Sequence, residues 1–552
     1  MDTVDPYLTK VAAPGSPFEI GLRGGLRQFV NAPGDLGALI EAARVHGPRT
    51  FIVEGSEDGI GRRLTYDQVF AWRDRLVARL GIGRGERVAI CMRNRTEWLI
   101  AFLAVIRAGG VAALLNSRGS PEELAAMIAE VTPALVLADA ERMPLIRQGG
   151  YAGRLFDMTR PLAAAQGPAP APSPDPAPAQ PQDPAAILFT SGTTGRTKGA
   201  VLTHRSLITG LLSVQLSGLM IAQRMADQYG MTVEQLMARM PQQAVLLVYP
   251  LFHISGLGSA FLSPMFSGAK VVIMRRWDAA EALRLIAEEK VSMFTGVPTM
   301  LWDVLRQAEL AGADLSSLTN VASGGQALPV NLLEEIRAAC PQAAMGTGYG
   351  MTECSGSVAQ AVGEDFVRKP GSAGRVLPLV DMRVLGPEGE VLARGETGEI
   401  AVRGAMVMQG YWNRPEETAA VLGADGWLRS GDIGYVDEEG YVFIVDRKKD
   451  MVISGGENIY CAEVERVLGT VPGVTECAAF GIPDERLGEA LVAVVVASGQ
   501  SEEALVREVG ERLARYKAPR RIAFSPIALP RNAVGKLDKI ALRARWPELI
   551  GA

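Results

Sequence analysis

The stretch AAILFTSGTTGRTKGAVLTH, Ala185–His204, constrains this chain more than any other. An apolar run of strand character ends in a loop, Thr190–Gly199, with three glycines, five hydroxyl residues and two cations. Glycines let backbone N–H groups approach an anion closely, and hydroxyls add donors. Lys198 adds positive charge. The loop is therefore a candidate phosphate cradle, set between a strand and a helix that begins HRSLITGLL. A Walker loop needs G-x-x-x-x-G-K-[ST]. Counting from Gly192, the sixth residue is Thr197, followed by Lys198 and Gly199. The second glycine and the final hydroxyl are missing, so a P-loop NTPase is disfavoured. Composition alone leaves a plain surface turn open.

With 552 residues the chain is too long for one core, and at least two domains are expected. The balance of 21% charged and 48% hydrophobic residues is that of a soluble globular enzyme. A net charge of -5 gives no reason to expect nucleic acid as a partner. The five cysteines have no C-x-x-C spacing, which argues for a reducing cytoplasm and against a zinc ribbon. With three histidines, a histidine-rich metal site is disfavoured. MDTVDPYLTK lacks the basic start and apolar core of a signal peptide. Met240–Ala269 holds no charged residue, but prolines and glycines break it. It reads as a buried strand, loop and helix rather than a membrane span.

Apolar strands alternate with helices: ERVAICMRN, then RTEWLIAFLAVIRAGG, then ALVLADA. This pattern predicts parallel α/β layers. Gly167–Pro184, a Pro/Ala tract, reads as an extended, mobile linker. After Lys369, glycine-rich turns between short alternating strands predict an antiparallel β subdomain. The fold class expected is α/β. A large N-terminal domain of parallel α/β layers with a β subdomain covers residues 1–446, and a small mobile C-terminal α+β domain covers 447–552.

S-G-T-T-G-x-x-K-G after an apolar strand resembles the phosphate loop of the adenylate-forming superfamily of acyl-CoA synthetases, adenylation domains and luciferase. Thr197 stands where many members have proline. Further segments match that superfamily in its order: SGGQAL (323–328), GYGMTE (348–353), SGDIG (430–434), DRKKDMVISGGENIY (446–460) and PRNAVGKLDK (530–539). The resemblance implies a reaction in two halves. A carboxylate attacks the α-phosphate of ATP, and a thiol, that of CoA, then takes the acyl group. It also implies roles. Thr190, Ser191, Gly192, Thr193, Thr194, Gly195 and Lys198 would hold the β- and γ-phosphates. Glu353, assisted by Thr193, would bind Mg²⁺, a hard cation that prefers oxygen. Thr352 would donate to the α-phosphate. Gly324, Gly325, Gln326, Tyr349, Gly350 and Met351 would border the adenine, with Tyr349 stacked on it. Asp432 and Arg447 would take the ribose. His253 would gate the carboxylate pocket, a core histidine being the alternative. Lys536 would bridge carboxylate and phosphate oxygens. Lys449 would be the hinge, and Ser454, Gly455, Gly456 and Glu457 would admit the CoA arm. Cys461, standing where the superfamily has proline, is not read as a nucleophile.

Which acid is activated is less legible. The chain is roughly fifteen residues longer than the superfamily between His204 and Pro250. The excess, Ser217–Met240, is amphipathic and rich in methionine, an adaptable apolar lining. It is expected either to cap a pocket for a medium-chain, long-chain or otherwise bulky hydrophobic acid or to be a surface helix pair. A stand-alone enzyme serving a carrier protein, a β-lactone-forming enzyme and a nucleotide sensor remain rivals to the acyl-CoA synthetase reading. No transmembrane segment is expected; peripheral membrane contact, and monomer against homodimer, are left open.

Overall fold

The computed structural model describes residues 5–56, 59–159, 178–191, 197–324, 330–454, 457–531 and 537–550. Two large sheets organise most of the chain. The first has seven strands, with Arg87–Cys91 at its heart flanked by Val111–Leu114 and Leu135–Ala138, all parallel. The second has thirteen. Its parallel centre runs through Lys270–Ile273, Ala244–Leu247, Met293–Gly296, Asn320–Gly324 and Ala344–Met351. Ala244–Leu247 and Lys270–Ile273 are largely apolar and covered on both faces, whereas Met293–Gly296, Asn320–Gly324 and Ala344–Met351 turn alternate residues toward a cleft. The largest core cluster joins side chains of both sheets, such as Ile90 and Leu247, to the helix Thr96–Arg107 and to Leu207 and Leu211 of the long helix His204–Gln228. Residues 96–106 are all buried, as expected of a helix apolar on every side.

The antiparallel strands predicted after Lys369 are present, but they are no separate sheet. Gly356–Val362 pairs with Ala344–Met351, and Gly374–Val376, Tyr441–Arg447, Leu428–Val436, Gly398–Arg403 and Asp381–Leu385 extend the same sheet. The hairpin through Thr352–Gly356 makes this change of direction, so hydrogen bonding continues where the sequence texture shifts. The C-terminal sheet is distinct. Val452–Ser454, Glu457–Ile459, Val474–Asp484, Gly488–Ala497 and Ile522–Phe524 form it, with apolar clusters of their own beneath Cys461–Leu468, Glu502–Arg512 and Lys539–Ile550. Cys461 is buried there and its thiol donates to the Asp450 carbonyl at 3.1 Å.

Two local expectations need correction. The glycine/hydroxyl loop does not pass directly from strand to helix. Thr197–Thr203 returns as a strand antiparallel to Pro184–Ser191, with Lys198 opposite Thr190. The apolar run Ala200–Leu202 makes that strand, and the helix waits for its cap: Thr203 Oγ1 accepts from the Ser206 N–H at 3.0 Å. The second concerns the Pro/Ala linker. Most of it lies outside the described residues, but its last residue, Pro184, already belongs to the strand Pro184–Ser191. Asp183 is 2.8 Å from Arg84 and its carbonyl accepts from the His204 N–H at 3.1 Å.

The turn after Ala344–Met351 is pinned by two close approaches. A Cβ on Gly350 would lie 2.0 Å from the Gly356 oxygen, and one on Gly210 of the long helix 2.5 Å from the Ser355 oxygen. Gly210→Ala is therefore expected to cost ~1–3 kcal/mol by overpacking. A lowered denaturation midpoint with an unchanged denaturant slope is the measurement that checks it.

Candidate active site

The two sheets and the C-terminal unit border one continuous cleft of about 2860 Å³. That exceeds the ~300–1,000 Å³ of an ordinary small-ligand pocket. It has room for a nucleotide and a second substrate together.

Asp432 borders the cleft. Its strand, Leu428–Val436, pairs with Tyr441–Arg447 so that Asp432 faces Arg447. Asp432 is 4% exposed. A carboxylate so deeply placed requires donors. Tyr349 donates its hydroxyl to Oδ2 at 2.7 Å, and Arg447 Nε lies 3.0 Å from Oδ1. Burial, and then the charge of Asp432, hold the Tyr349 phenol well above its ordinary pKa, so it stays a neutral donor. Reading Tyr349 as a flat face for a base did not anticipate that its hydroxyl also positions the carboxylate.

Three residues after Tyr349, Thr352–Cys354 forms a tight turn, with Thr352 buried. The Glu353 carbonyl accepts from the Met408 N–H at 2.7 Å, which fixes the backbone. Its carboxylate Oε1 accepts the Tyr411 hydroxyl at 2.8 Å. Tyr411 lies on the edge strand Gly410–Tyr411, which pairs with the strand that carries Lys198. Lys198 Nζ is 5.2 Å from the Tyr411 ring centre. Lys198, Tyr411 and Glu353 thus meet from three distant segments. Burial first, then the Glu353 charge, push the Tyr411 phenol up, so it too remains a donor. Tyr411 was missed in the sequence. Only the strand pairing that sets Gly410 beside Val201 brings it to the site.

Of the other expected residues, Thr190, Gly324, Gly350 and Met351 border the cleft. The Gly324 carbonyl accepts from the Tyr249 hydroxyl at 3.3 Å. Ser191 ends its strand. His253 also borders the cleft, half-buried, with its ring Nδ1 3.4 Å from the Ser255 N–H. Gly192, Thr193, Thr194, Gly195, Gly325, Gln326, Gly455, Gly456 and Lys536 lie outside the described residues. The flanks of residues 532–536 are informative: Arg531, Leu537 and Asp538 border the cleft, as does exposed Lys449. Ser454 and Glu457 lie on the hairpin Val452–Ser454 and Glu457–Ile459 and do not border it. Arg531, Leu537 and Asp538, and not Ser454 or Glu457, thus line the cleft that Glu353 also borders.

The methionine-rich excess is placed as well. It forms the second half of the long helix and the short helix Val233–Arg239, and Leu219, Met225, Met237 and Met240 border the cleft. By length and composition the long helix could cross a membrane, but half of its most apolar window is buried in the protein.

A cleft bordered by Thr190, Thr197 and Lys198, with a buried carboxylate suited to paired hydroxyls and an apolar annex, defines an enzyme that activates an organic acid with a nucleotide. The AMP-binding enzyme family matches residues 39–412, and the AMP-binding enzyme C-terminal domain matches 463–536. The long-chain-fatty-acid–CoA ligase FadD13 of Mycobacterium tuberculosis is 35% identical over 501 residues, covering 88% of this chain and 93% of that one. The feruloyl-CoA synthase of an Amycolatopsis species is 36% identical over 496 residues, covering 88% and 94%. The o-succinylbenzoate coenzyme A synthetase MenE of Bacillus subtilis, solved with ATP and magnesium ion, superposes with a TM-score of 0.75 at 30% identity, covering 92% and 98%. The chain belongs to the AMP-binding enzyme family of adenylate-forming enzymes. It is an AMP-forming acid–thiol ligase of the ATP-dependent acyl-CoA ligase type.

Tyr411→Phe removes one donor to Glu353 and leaves the ring. A loss of ~1 kcal/mol is expected, or roughly fivefold weaker Mg·ATP binding. Titration calorimetry, with circular dichroism to confirm the fold, checks it.

Proposed function

We propose that this ligase activates a bulky apolar carboxylic acid and passes it to CoA. The observation that supports the substrate class is the uncharged lining that Leu219, Ile221 and Met225 of the long helix and Met237 and Met240 give the cleft that also holds Glu353. The names of the relatives do not narrow it, since one is a long-chain-fatty-acid ligase and another a feruloyl-CoA synthase.

In the first half-reaction a carboxylate oxygen attacks the α-phosphorus of ATP, the bond to the β-phosphate bridge breaks, and pyrophosphate leaves. Both partners are anions, so the site must offset charge and hold them in line. In this reading Lys198 and the 190–195 segment hold the departing phosphates, and Thr352 donates to the α-phosphate. Asp432 accepts from the ribose hydroxyls while Tyr349 and Arg447 keep its carboxylate fixed. Lys536, on the segment flanked by Arg531 and Leu537, supplies charge where carboxylate and phosphate meet. In the second half-reaction the thiol sulfur bonds to the acyl carbon, its proton is lost, and AMP leaves. Hinge motion near Lys449 then brings Ser454 and Glu457 to the cleft.

Among the described residues no three His, Cys, Asp or Glu side chains gather as a metal cage. Mg²⁺ favours one or two carboxylates plus phosphate oxygens over an all-protein cage. Glu353, with Thr193, would hold it, and the ion would offset phosphate charge.

The test is pyrophosphate exchange over short, long-chain, aromatic and polycyclic acids, followed by mass spectrometry with CoA. Exchange and a thioester with a large apolar acid are expected. Exchange without thioester on CoA would move the acceptor to a carrier protein. In the same assay Lys536→Ala should abolish exchange yet still form thioester from premade acyl-adenylate; equal loss of both steps would count against the hinge.

A further inference from the structure

Past residue 213 the long helix His204–Gln228 sorts its side chains by face. Its charges point away from the cleft. Lys10 Nζ lies 2.5 Å from Asp227, Arg224 lies 3.7 Å from Asp5, and the Arg224 guanidinium sits 5.2 Å from the Tyr7 ring centre. The N-terminal helix Pro6–Val11 thus backs the long helix and sets which face looks inward. Toward the cleft the long helix carries Val214, Gly218, Ile221, Ala222 and Met225, spaced as one helical stripe, with the uncharged Gln215, Ser217 and Leu219 beside them and no ionisable group. Met225 and Met237 are 39% and 43% exposed, and both border the cleft. Apolar surface of this kind is favourably covered by an apolar ligand group.

Gly218 is the odd member of that stripe. Glycine within a helix costs about 0.5–1 kcal/mol relative to alanine. Its conformation is that of an ordinary right-handed helix, absent from the positive-φ residues. A Cβ there would meet nothing within 4 Å. Neither the backbone nor a neighbour requires glycine. What the missing side chain does is keep the cleft open at mid-helix.

We propose that Gly218 determines the length and girth of the acid this ligase accepts. The uncharged tail runs over Gly218 between the inward face of the long helix and the short helix Val233–Arg239, with its carboxylate toward His253 and Glu353. The inference rests on the apolar-acid reading above. A methylene that fits or clashes in such a pocket changes kcat/KM by about 10–200-fold.

The experiment compares wild type with Gly218→Phe and with Gly218→Leu, a strong helix former that keeps the test alive should the bulkier variant misfold. It reads the ratio of kcat/KM for the best large apolar acid of the panel to that for butanoate. Wild type should favour the large acid, and both variants should lower the ratio ~10-fold or more. A general loss of structure would lower both rates together and leave the ratio in place. A wild-type preference for the large acid that either variant retains while its butanoate turnover stays at the wild-type level overturns the role of Gly218 while the apolar-acid reading stands. A wild type that prefers butanoate, or turns over neither acid, overturns both.

Discussion

The turn that carries Glu353 is the point on which the site depends. Gly350 and Gly210 let the Gly356 and Ser355 carbonyls come within distances that any side chain would forbid. Ser355 itself adopts a left-handed φ of 53°. At this turn the second sheet reverses from parallel to antiparallel, and the first sheet sends in Tyr411 from its edge strand. Besides the apolar core they share, the two sheets are thus linked through one carboxylate and one phenol. A shift of either sheet would separate Lys198 from Glu353.

Electrostatics divides the cleft. Asp432 is buried and doubly satisfied by Tyr349 and Arg447, so its geometry is set before any ligand arrives. The Glu353 carboxylate accepts from the Tyr411 phenol. Preorganised donors and acceptors of this kind need no rearrangement when charge develops. The apolar annex is walled by a helix whose charges are drawn off to the N-terminal helix.

Much of this was legible in the chain. Solid apolar runs such as Val88–Cys91 and Leu135–Ala138 specify buried parallel strands, because burial on both faces removes the alternation of an exposed strand. The Asp432 and Glu353 motifs marked their residues directly. The strand Thr197–Thr203 was not legible, because a short apolar run before a capped helix reads equally as the start of that helix. Nor was the continuity of the thirteen-stranded sheet, since a change of turn composition looks the same whether or not hydrogen bonds cross it.

The sequence by itself determined the family, the order of the motifs and the acidic, basic and hydroxyl groups available to the reaction, because each motif is local. The tertiary structure alone decided that Tyr349 braces Asp432, that Tyr411 braces Glu353, and that the inward face of residues 214–225 borders the reaction cleft. Those outcomes depend on strand register and on which face of a helix its neighbours cover. Such pairings lie 83 and 58 residues apart in the chain, beyond the reach of any local pattern.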